Sequence, residues 1–258
     1  MRLIQVAKSP AETYHRLIAR LKARNETGWN CTSDSRWREL LGVTVENIQQ
    51  TQEVWRSIFA ILERRGIRAG PQSFLGNNDA DPAIVDAVLC LLRRTNASKV
   101  VETGVANGVS SRFILEWFAN NNPNGHLWSV DLPPLDQKVA ERIGSVVTDR
   151  SHWSLIEGSS RRRLPRLLKQ IAPIDLFIHD SDHRYDNVAF EMRLAWDALR
   201  PGGAMVVDDI DVNMAFRDFM ANIDAEVIIG EAEPIRPDLR RFNQKGMFGV
   251  IIKPEHKS

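Results

Sequence analysis

The segment from Ile174 to Asp211 constrains the fold of this chain most strongly. Two short apolar runs, Ile174–Ile178 and Ala204–Val207, are separated by a helix-length segment that ends at Pro201-Gly202-Gly203. This pattern predicts a strand, a helix and a second strand. In such a unit the two strands lie parallel and adjacent, so that their carboxyl ends share one edge of the sheet.

Carboxylates follow both of these strands, and they are expected to converge at that shared edge. They are Asp180, Asp182, Asp208, Asp209 and Asp211. Because like charges repel, such a cluster needs either water between its members or a positive charge among them.

The remainder of the chain after about residue 80 alternates between strand and helix patterns. Helices are predicted at Pro82–Thr95, Val109–Phe118, Leu135–Val147, Arg161–Ile171 and Asn213–Ile223, and further strands at Lys99–Thr103, His126–Val130, Trp153–Ile156, Ala225–Ile229 and Met247–Ile252. This alternation predicts an α/β fold, in which helices cover both faces of a mostly parallel sheet. Ligands of such sheets bind at the carboxyl ends of the strands.

The first 75 residues have a different character and are interpreted as an N-terminal helical extension to a domain at 76–258. One amphipathic helix is predicted to begin at Pro10, and a second covers about Val45–Arg65. The apolar stripe of the second helix is expected to pack on the domain that follows. A dimer contact, and thus a homo-oligomer, or a lid over the site is the alternative for that stripe.

Composition excludes several classes of protein. The 258 residues carry a net charge of only +1, which argues against a protein that binds nucleic acid by neutralising phosphates. Cys31 and Cys90 form neither a disulfide framework nor a zinc pattern. The chain has no signal-peptide pattern and no long apolar run, so we expect a cytoplasmic protein without a membrane partner.

A glycine-containing turn joins the Lys99–Thr103 strand to the next helix. Gly104, Ala106 and Gly108 let a ligand approach the backbone closely, and Ser110 lies in the first turn of the helix. The spacing differs from G-x-G-x-x-G, which disfavours a nicotinamide dinucleotide. Glu102 just before the turn could accept a hydrogen bond from a cationic amine, although it could also cap the turn.

Asp131 ends the following strand, where a carboxylate can accept hydrogen bonds from the two hydroxyls of a ribose. Glu102 and Asp131 together indicate a nucleoside that carries a positively charged amino-acid tail. S-adenosylmethionine fits that description.

The motifs VVETGVANG, WSVD, IDLFIHDSDHRYDNV, LRPGG and VVDD together resemble those of the class I S-adenosylmethionine-dependent methyltransferases. The resemblance covers about Ser98–Lys253 and is to the small-molecule branch, which includes cephalosporin-hydroxylase-like and macrocin-type sugar O-methyltransferases and, more distantly, catechol O-methyltransferase. It implies a Rossmann-like sheet of seven strands with an antiparallel last strand. It also implies cofactor contacts from Glu102, Gly104, Ala106, Gly108, Ser110, Asp131, Gly158, Ser159 and Asp180.

Several members of that branch bind Mg²⁺ through acidic residues at the ends of the fourth and fifth strands, whereas many metal-independent methyltransferases carry acids there without a metal. The matching positions are Asp180, Asp208 and Asp209. Mg²⁺ prefers such hard oxygen ligands and lowers the pKa of a bound hydroxyl. Asp182 and His183 are the two candidates for the general base, and a structural role in the loop is the alternative for both.

The sequence therefore predicts an S-adenosylmethionine-dependent O-methyltransferase, assisted by Mg²⁺, that methylates a hydroxyl of a small molecule such as a sugar or a natural-product intermediate. The rival hypotheses are a nicotinamide-dependent oxidoreductase on a similar sheet and a non-catalytic protein that binds S-adenosylmethionine.

Overall fold

The computed structural model describes residues 26–66, 80–132, 140–231 and 246–255. The helix predicted to begin at Pro10 lies outside the described residues. None of the helices within these ranges is both long enough and apolar enough to cross a membrane.

One seven-stranded sheet forms the centre of the fold, in the order β3-β2-β1-β4-β5-β7-β6. The first five strands pair in parallel, whereas β7 is antiparallel to both β5 and β6. The predicted sheet and its antiparallel last strand are thus confirmed. The strands are β1 (Lys99–Thr103), β2 (His126–Asp131), β3 (Trp153–Glu157), β4 (Ile174–His179), β5 (Leu199–Val207), β6 (Glu226–Glu231) and β7 (Met247–Ile252).

Two apolar clusters cover the two faces of the sheet, because alternate side chains of each strand point to opposite sides. Val100 and Leu176 belong to one cluster, and their neighbours Val101 and Phe177 belong to the other. The described helices are α1 (Trp37–Leu41), α2 (Val45–Arg64), α3 (Pro82–Arg94), α4 (Val109–Asn121), α5 (Ser160–Ile171), α6 (Tyr185–Ala198) and α7 (Ala215–Met220).

The helix predicted at Leu135–Val147 is wrong over its described second half, since residues 141–146 form turns. Backbone N–H groups of these residues form hydrogen bonds with the glycine turn instead of continuing a helix. The Gly144 N–H donates to the Ala106 carbonyl and the Val146 N–H to the Asn107 carbonyl, both at 3.0 Å. Tertiary contacts have therefore overridden a helical sequence pattern.

The second predicted N-terminal helix, α2, packs on the domain, as expected. Ile58 and Leu62 of α2 are fully buried, and Trp55 lies 4.9 Å from the ring of Phe113 in α4. Trp37 of α1 meets Phe248 of β7 edge-on at 5.1 Å. The division of the chain near residue 75 stays a prediction.

The buried carboxylate of Glu191 on α6 holds the ends of β1 and β4 together. It accepts hydrogen bonds from His179 Nδ1 at 2.7 Å, from the Thr103 hydroxyl at 2.5 Å and from the Ser181 hydroxyl at 3.0 Å. Burial alone would raise the pKa of Glu191, but the charge of His179 and these hydrogen bonds outweigh it and lower the pKa to about 2. Asp180 therefore lies between two residues that bind the same carboxylate.

Gly104 allows the loop after β1 to pass directly beneath the end of β4. It has a φ of +84°, and a Cβ at this position would lie 1.8 Å from the Asp180 carbonyl oxygen. Only glycine fits both the left-handed backbone and the contact. The glycine turn and the acidic loop consequently share one tightly packed boundary.

We predict that Gly104→Ala destabilises the fold by at least about 2 kcal/mol, because it adds a steric clash to the cost of the left-handed backbone. Gly42→Ala is the matched control: Gly42 has a φ of +76° but nothing within 4 Å of its Cβ position. Urea unfolding of both variants measures the difference. Equal losses in the two variants would contradict the role given to the contact with Asp180.

We further predict that Glu191→Gln lowers the free energy of unfolding at pH 7 by about 3 kcal/mol. Since the folded pKa of Glu191 is depressed, its contribution is complete above an ordinary pKa of about 4.5 and disappears as the pH falls toward 2. The variant should therefore show a flatter decline in stability over that pH range. Glu53→Gln, at a glutamate whose side chain is 86% exposed, should behave like the wild type.

Candidate active site

Three carboxylates and an imidazole meet at the carboxyl ends of β4 and β5. The strand register places His179 opposite Val207, so Asp180 and Asp208 follow at adjacent positions. Ligand atoms of Asp180, His183 and Asp208 all lie within 4.8 Å of one another. The His183 Nε2 atom lies 3.7 Å from a carboxylate oxygen of Asp180 and 3.8 Å from one of Asp209.

Asp208 has a strongly perturbed pKa. Its burial, together with the negative charges of Asp209, Asp180 and Asp81, raises its pKa well above the ordinary value. Crowding of this kind favours either a proton or a cation among the carboxylates. Asp81, the N-cap residue of α3, is an acidic neighbour that the sequence analysis missed, because it precedes a helix and does not follow a strand.

Hard oxygen donors and one imidazole suit a divalent cation. The residues present therefore fit a metal ion, with Asp180 and Asp208 as the acids whose ligand atoms are grouped and Asp209 beside them. The structure adds His183 to the group predicted from the sequence.

The two candidates for the base have different surroundings. Asp182 forms an ion pair with Arg184, whose Nε lies 2.7 Å from the carboxylate, and its side chain is 40% exposed. His183 is directed toward Asp180 and Asp209 at the centre of the cluster. The arrangement brings His183 into the site, whereas Asp182 is paired with the guanidinium of Arg184 at its margin.

Glu102 does not reach the open edge of the sheet. Its carboxylate is fully buried and accepts hydrogen bonds from the hydroxyls of Ser110, Ser111 at 2.6 Å and Ser129 at 2.8 Å. Burial raises the pKa of Glu102, while the three hydroxyls act in the opposite direction. The polar partners of Glu102 come from the chain itself, so it anchors α4 and β2 internally. Its contact with a cationic amine stays a prediction.

Ser111 and Ser129 were missed by sequence reasoning. Ser129 also accepts a hydrogen bond from Trp153 Nε1 at 2.8 Å, so it connects Glu102 to β3. A lone serine inside an apolar strand carries no recognisable signal, and only the tertiary structure shows its partner.

Asp131 organises the loops on the other side of the site. One carboxylate oxygen accepts the backbone N–H groups of Val105 at 2.9 Å and Ala106 at 3.2 Å. Its carbonyl accepts the N–H of Gly158 at 2.8 Å. The structure thus brings Asp131 together with the glycine turn and with Gly158, as a common nucleoside site requires.

The remaining glycine positions serve close packing as well. A Cβ on Gly108, which has a φ of +89°, would lie 2.9 Å from the Cα of Gly144. A side chain on Gly158 would meet Arg163 Nε at 2.6 Å. Ser159 is the N-cap of α5, and Ala106 adopts a φ of +46°. This geometry leaves a backbone-lined turn next to Asp131, which suits a ligand that needs close approach.

The chain is similar to known methyltransferases in sequence and in structure. A family model described as a methyltransferase domain matches residues 101–210. A protein of Mycobacteroides abscessus that is named as an O-methyltransferase is 33% identical over 172 residues, which span 65% of this chain and 75% of that protein.

Solved structures share the fold at low sequence identity. The O-methyltransferase from Bacillus cereus in complex with S-adenosylhomocysteine has a TM-score of 0.58 at 12% identity and covers 82% of this chain and 99% of its own. The O-methyltransferase TomG from Streptomyces achromogenes, which is involved in tomaymycin synthesis, was solved with S-adenosylmethionine. It has a TM-score of 0.56 at 13% identity, and the match covers 87% of this chain and 100% of TomG. The similarity to the relative from Mycobacteroides abscessus agrees with the order of the strands and with the glycine turn beside Asp131. The chain belongs to the class I S-adenosylmethionine-dependent O-methyltransferases.

Proposed function

We propose that this enzyme transfers the methyl group of S-adenosylmethionine to a hydroxyl oxygen of a small molecule that also contacts a divalent cation held by the acidic cluster. The observation that carries the proposal is the convergence of Asp180, Asp208 and His183 within 4.8 Å, at the sheet edge that also bears the glycine turn and Asp131. A sugar or a natural-product intermediate with neighbouring oxygens would fit this arrangement.

The donor half of the site is formed by the loops after β1, β2 and β3. We assign the ribose to Asp131, the methionine part to the turn at Gly104–Gly108 with Ser110, and the adenine to Gly158 and Ser159. Glu102 is a positioning residue in this proposal, because its buried carboxylate accepts a hydrogen bond from Ser110 and so orients the start of α4.

The acceptor half consists of the acidic cluster and His183. We assign Asp180 and Asp208 as cation ligands, with Asp209 alongside. When bound, Mg²⁺ would lower the pKa of the acceptor hydroxyl. TomG acts in tomaymycin synthesis, which supports a small-molecule acceptor here. The cytoplasmic location and the homo-oligomer stay predictions.

In the proposed reaction His183 Nε2 takes the proton of the acceptor hydroxyl, while the hydroxyl oxygen attacks the methyl carbon of S-adenosylmethionine. The bond between that carbon and the sulfonium sulfur breaks, and the sulfur leaves as the neutral thioether of S-adenosylhomocysteine. Asp180 and Asp209 stabilise the imidazolium that forms, since both lie within 4 Å of Nε2. Alignment of oxygen, carbon and sulfur supplies most of the acceleration.

A second arrangement uses His183 as a cation ligand rather than as the base. The grouping of its ring nitrogen with Asp180 and Asp208 favours it, and an imidazole ligand would shift preference from Mg²⁺ toward transition metals.

We predict that Asp131→Ala weakens the binding of S-adenosylhomocysteine at least tenfold, because a carboxylate that accepts ribose hydroxyls and orders the glycine turn is lost. Isothermal titration calorimetry measures the affinity. Asp149→Ala is the control and should bind as the wild type does, because Asp149 is exposed and its carboxylate accepts the N–H of Ser151 in its own loop. Failure of the wild-type protein to bind the product would refute the proposed donor site.

We predict that His183→Ala lowers methyl transfer 10²–10⁴-fold, the usual contribution of a general base. Transfer is followed with radiolabelled S-adenosylmethionine and a panel of catechols and vicinal diols. Asp182→Asn should retain activity within about tenfold, because Asp182 is already paired with Arg184. The reverse order of the two variants would assign the base to Asp182.

We predict that EDTA abolishes turnover and that Asp208→Ala removes Mn²⁺ binding, measured by electron paramagnetic resonance with Mn²⁺ as the probe. Binding of Mn²⁺ that survives in His183→Ala would exclude the ligand role of His183, whereas its loss would support that role. Turnover that is unchanged by EDTA and by Asp208→Ala would remove the cation from the proposal.

A further inference from the structure

The segment Glu26–Cys31 crosses the ends of β4 and β5, and no role has so far been assigned to it. We call these residues the N-terminal strap. Its two ends are fixed differently: Glu26 is partly buried against the start of α6, and Cys31 is buried in the apolar cluster beneath α7. The strap thus lies over the two loops that carry the acceptor half of the site.

One attachment joins the strap to the loop after β4. Both carboxylate oxygens of Glu26 accept the backbone N–H of Tyr185, at 3.2 and 3.1 Å. Tyr185 is the first residue of α6, so Glu26 places a negative charge at the positive end of a 14-residue helix. This contact lies two residues after His183.

The other attachment joins the strap to the loop after β5. The Trp29 N–H donates to the Asp211 carbonyl at 2.9 Å, and its ring stacks on Phe216 of α7 with the centroids 6.2 Å apart. Gly28 fits closely here, because a Cβ would lie 3.0 Å from the same carbonyl oxygen. This contact lies two residues after Asp209.

An internal link connects the same two loops below the strap. Asn213 donates to the His183 carbonyl and accepts the Ala215 N–H at 2.8 Å. The loops after β4 and β5 are therefore connected twice, by the strap that crosses over them and by Asn213 below it. The hydrogen bonds of both links go to residues that flank the acidic cluster.

We propose that the N-terminal strap fixes the separation of the loops that carry His183 and Asp209, with Glu26 as the positioning residue. The link to acceptor methylation rests on the proposed function. The strap would be specific to the acceptor half, so its loss should loosen the acidic cluster and leave the binding of the methyl donor intact.

Hydrogen–deuterium exchange of Glu26→Ala tests the proposal without any ligand. Exchange of backbone amides in residues 181–187 and 209–213 should rise at least fivefold, whereas exchange in residues 103–108 and 129–132 should stay at the wild-type rate. Glu26→Gln keeps an oxygen acceptor and should restore most of the protection. Glu46→Ala is the control, because Glu46 also places a carboxylate at the start of a helix, α2, but is exposed and lies in the first turn of that helix itself.

The outcomes separate this proposal from the proposed function. Unchanged exchange in residues 181–187, or an equal rise in the glycine turn, would overturn the role of the strap. S-adenosylhomocysteine affinity in Glu26→Ala should stay within twofold of the wild type, and a tenfold loss would also contradict it. A wild-type protein that does not bind S-adenosylhomocysteine refutes the proposed function, while the exchange result still decides the role of the strap.

Discussion

The candidate site depends first on one buried carboxylate. Glu191 has no access to solvent, and its charge is compensated by His179 and by hydroxyl and amide groups from β1, the loop after β4 and α6 itself. A buried charge is tolerated only when such partners surround it, so each partner is held in place by the cost of losing it. Asp180 is held in place as well, because its neighbours His179 and Ser181 are among those partners. Glu102 does the same for the donor half through three serines.

These two internal glutamates explain why the site can bring several carboxylates together and still keep its shape. The clustered acids repel one another, and this repulsion adds to the effect of burial in raising the pKa of Asp208. Repulsion at the edge is opposed by hydrogen bonds one layer below it. Rigid support of this kind suits methyl transfer, in which alignment of the reacting atoms matters more than covalent participation of the protein.

The sequence predicted the sheet and the neighbourhood of the site because both depend on local patterns. The apolar runs and their acidic ends determined β4 and β5, and parallel pairing then placed Asp180 beside Asp208. The sequence could not predict that Glu102 is enclosed by Ser110, Ser111 and Ser129, since these residues approach it only in the folded chain. Residues 141–146 were misassigned for the same reason: the N–H groups of Gly144 and Val146 bond the loop after β1 and do not continue a helix. The pairing of Asp182 with Arg184, two residues along, was visible in the sequence but had no weight there without the geometry.

The contact between Gly104 and the Asp180 carbonyl has a consequence for how such an enzyme could change its acceptor. The donor turn and the acidic loop touch through backbone atoms, with no space for even a methyl group between them. Neither loop can be lengthened or reshaped at this boundary without moving the other. A library for altered acceptor choice would therefore best be placed in the N-terminal strap at Thr27 and Asn30, whose side chains are exposed.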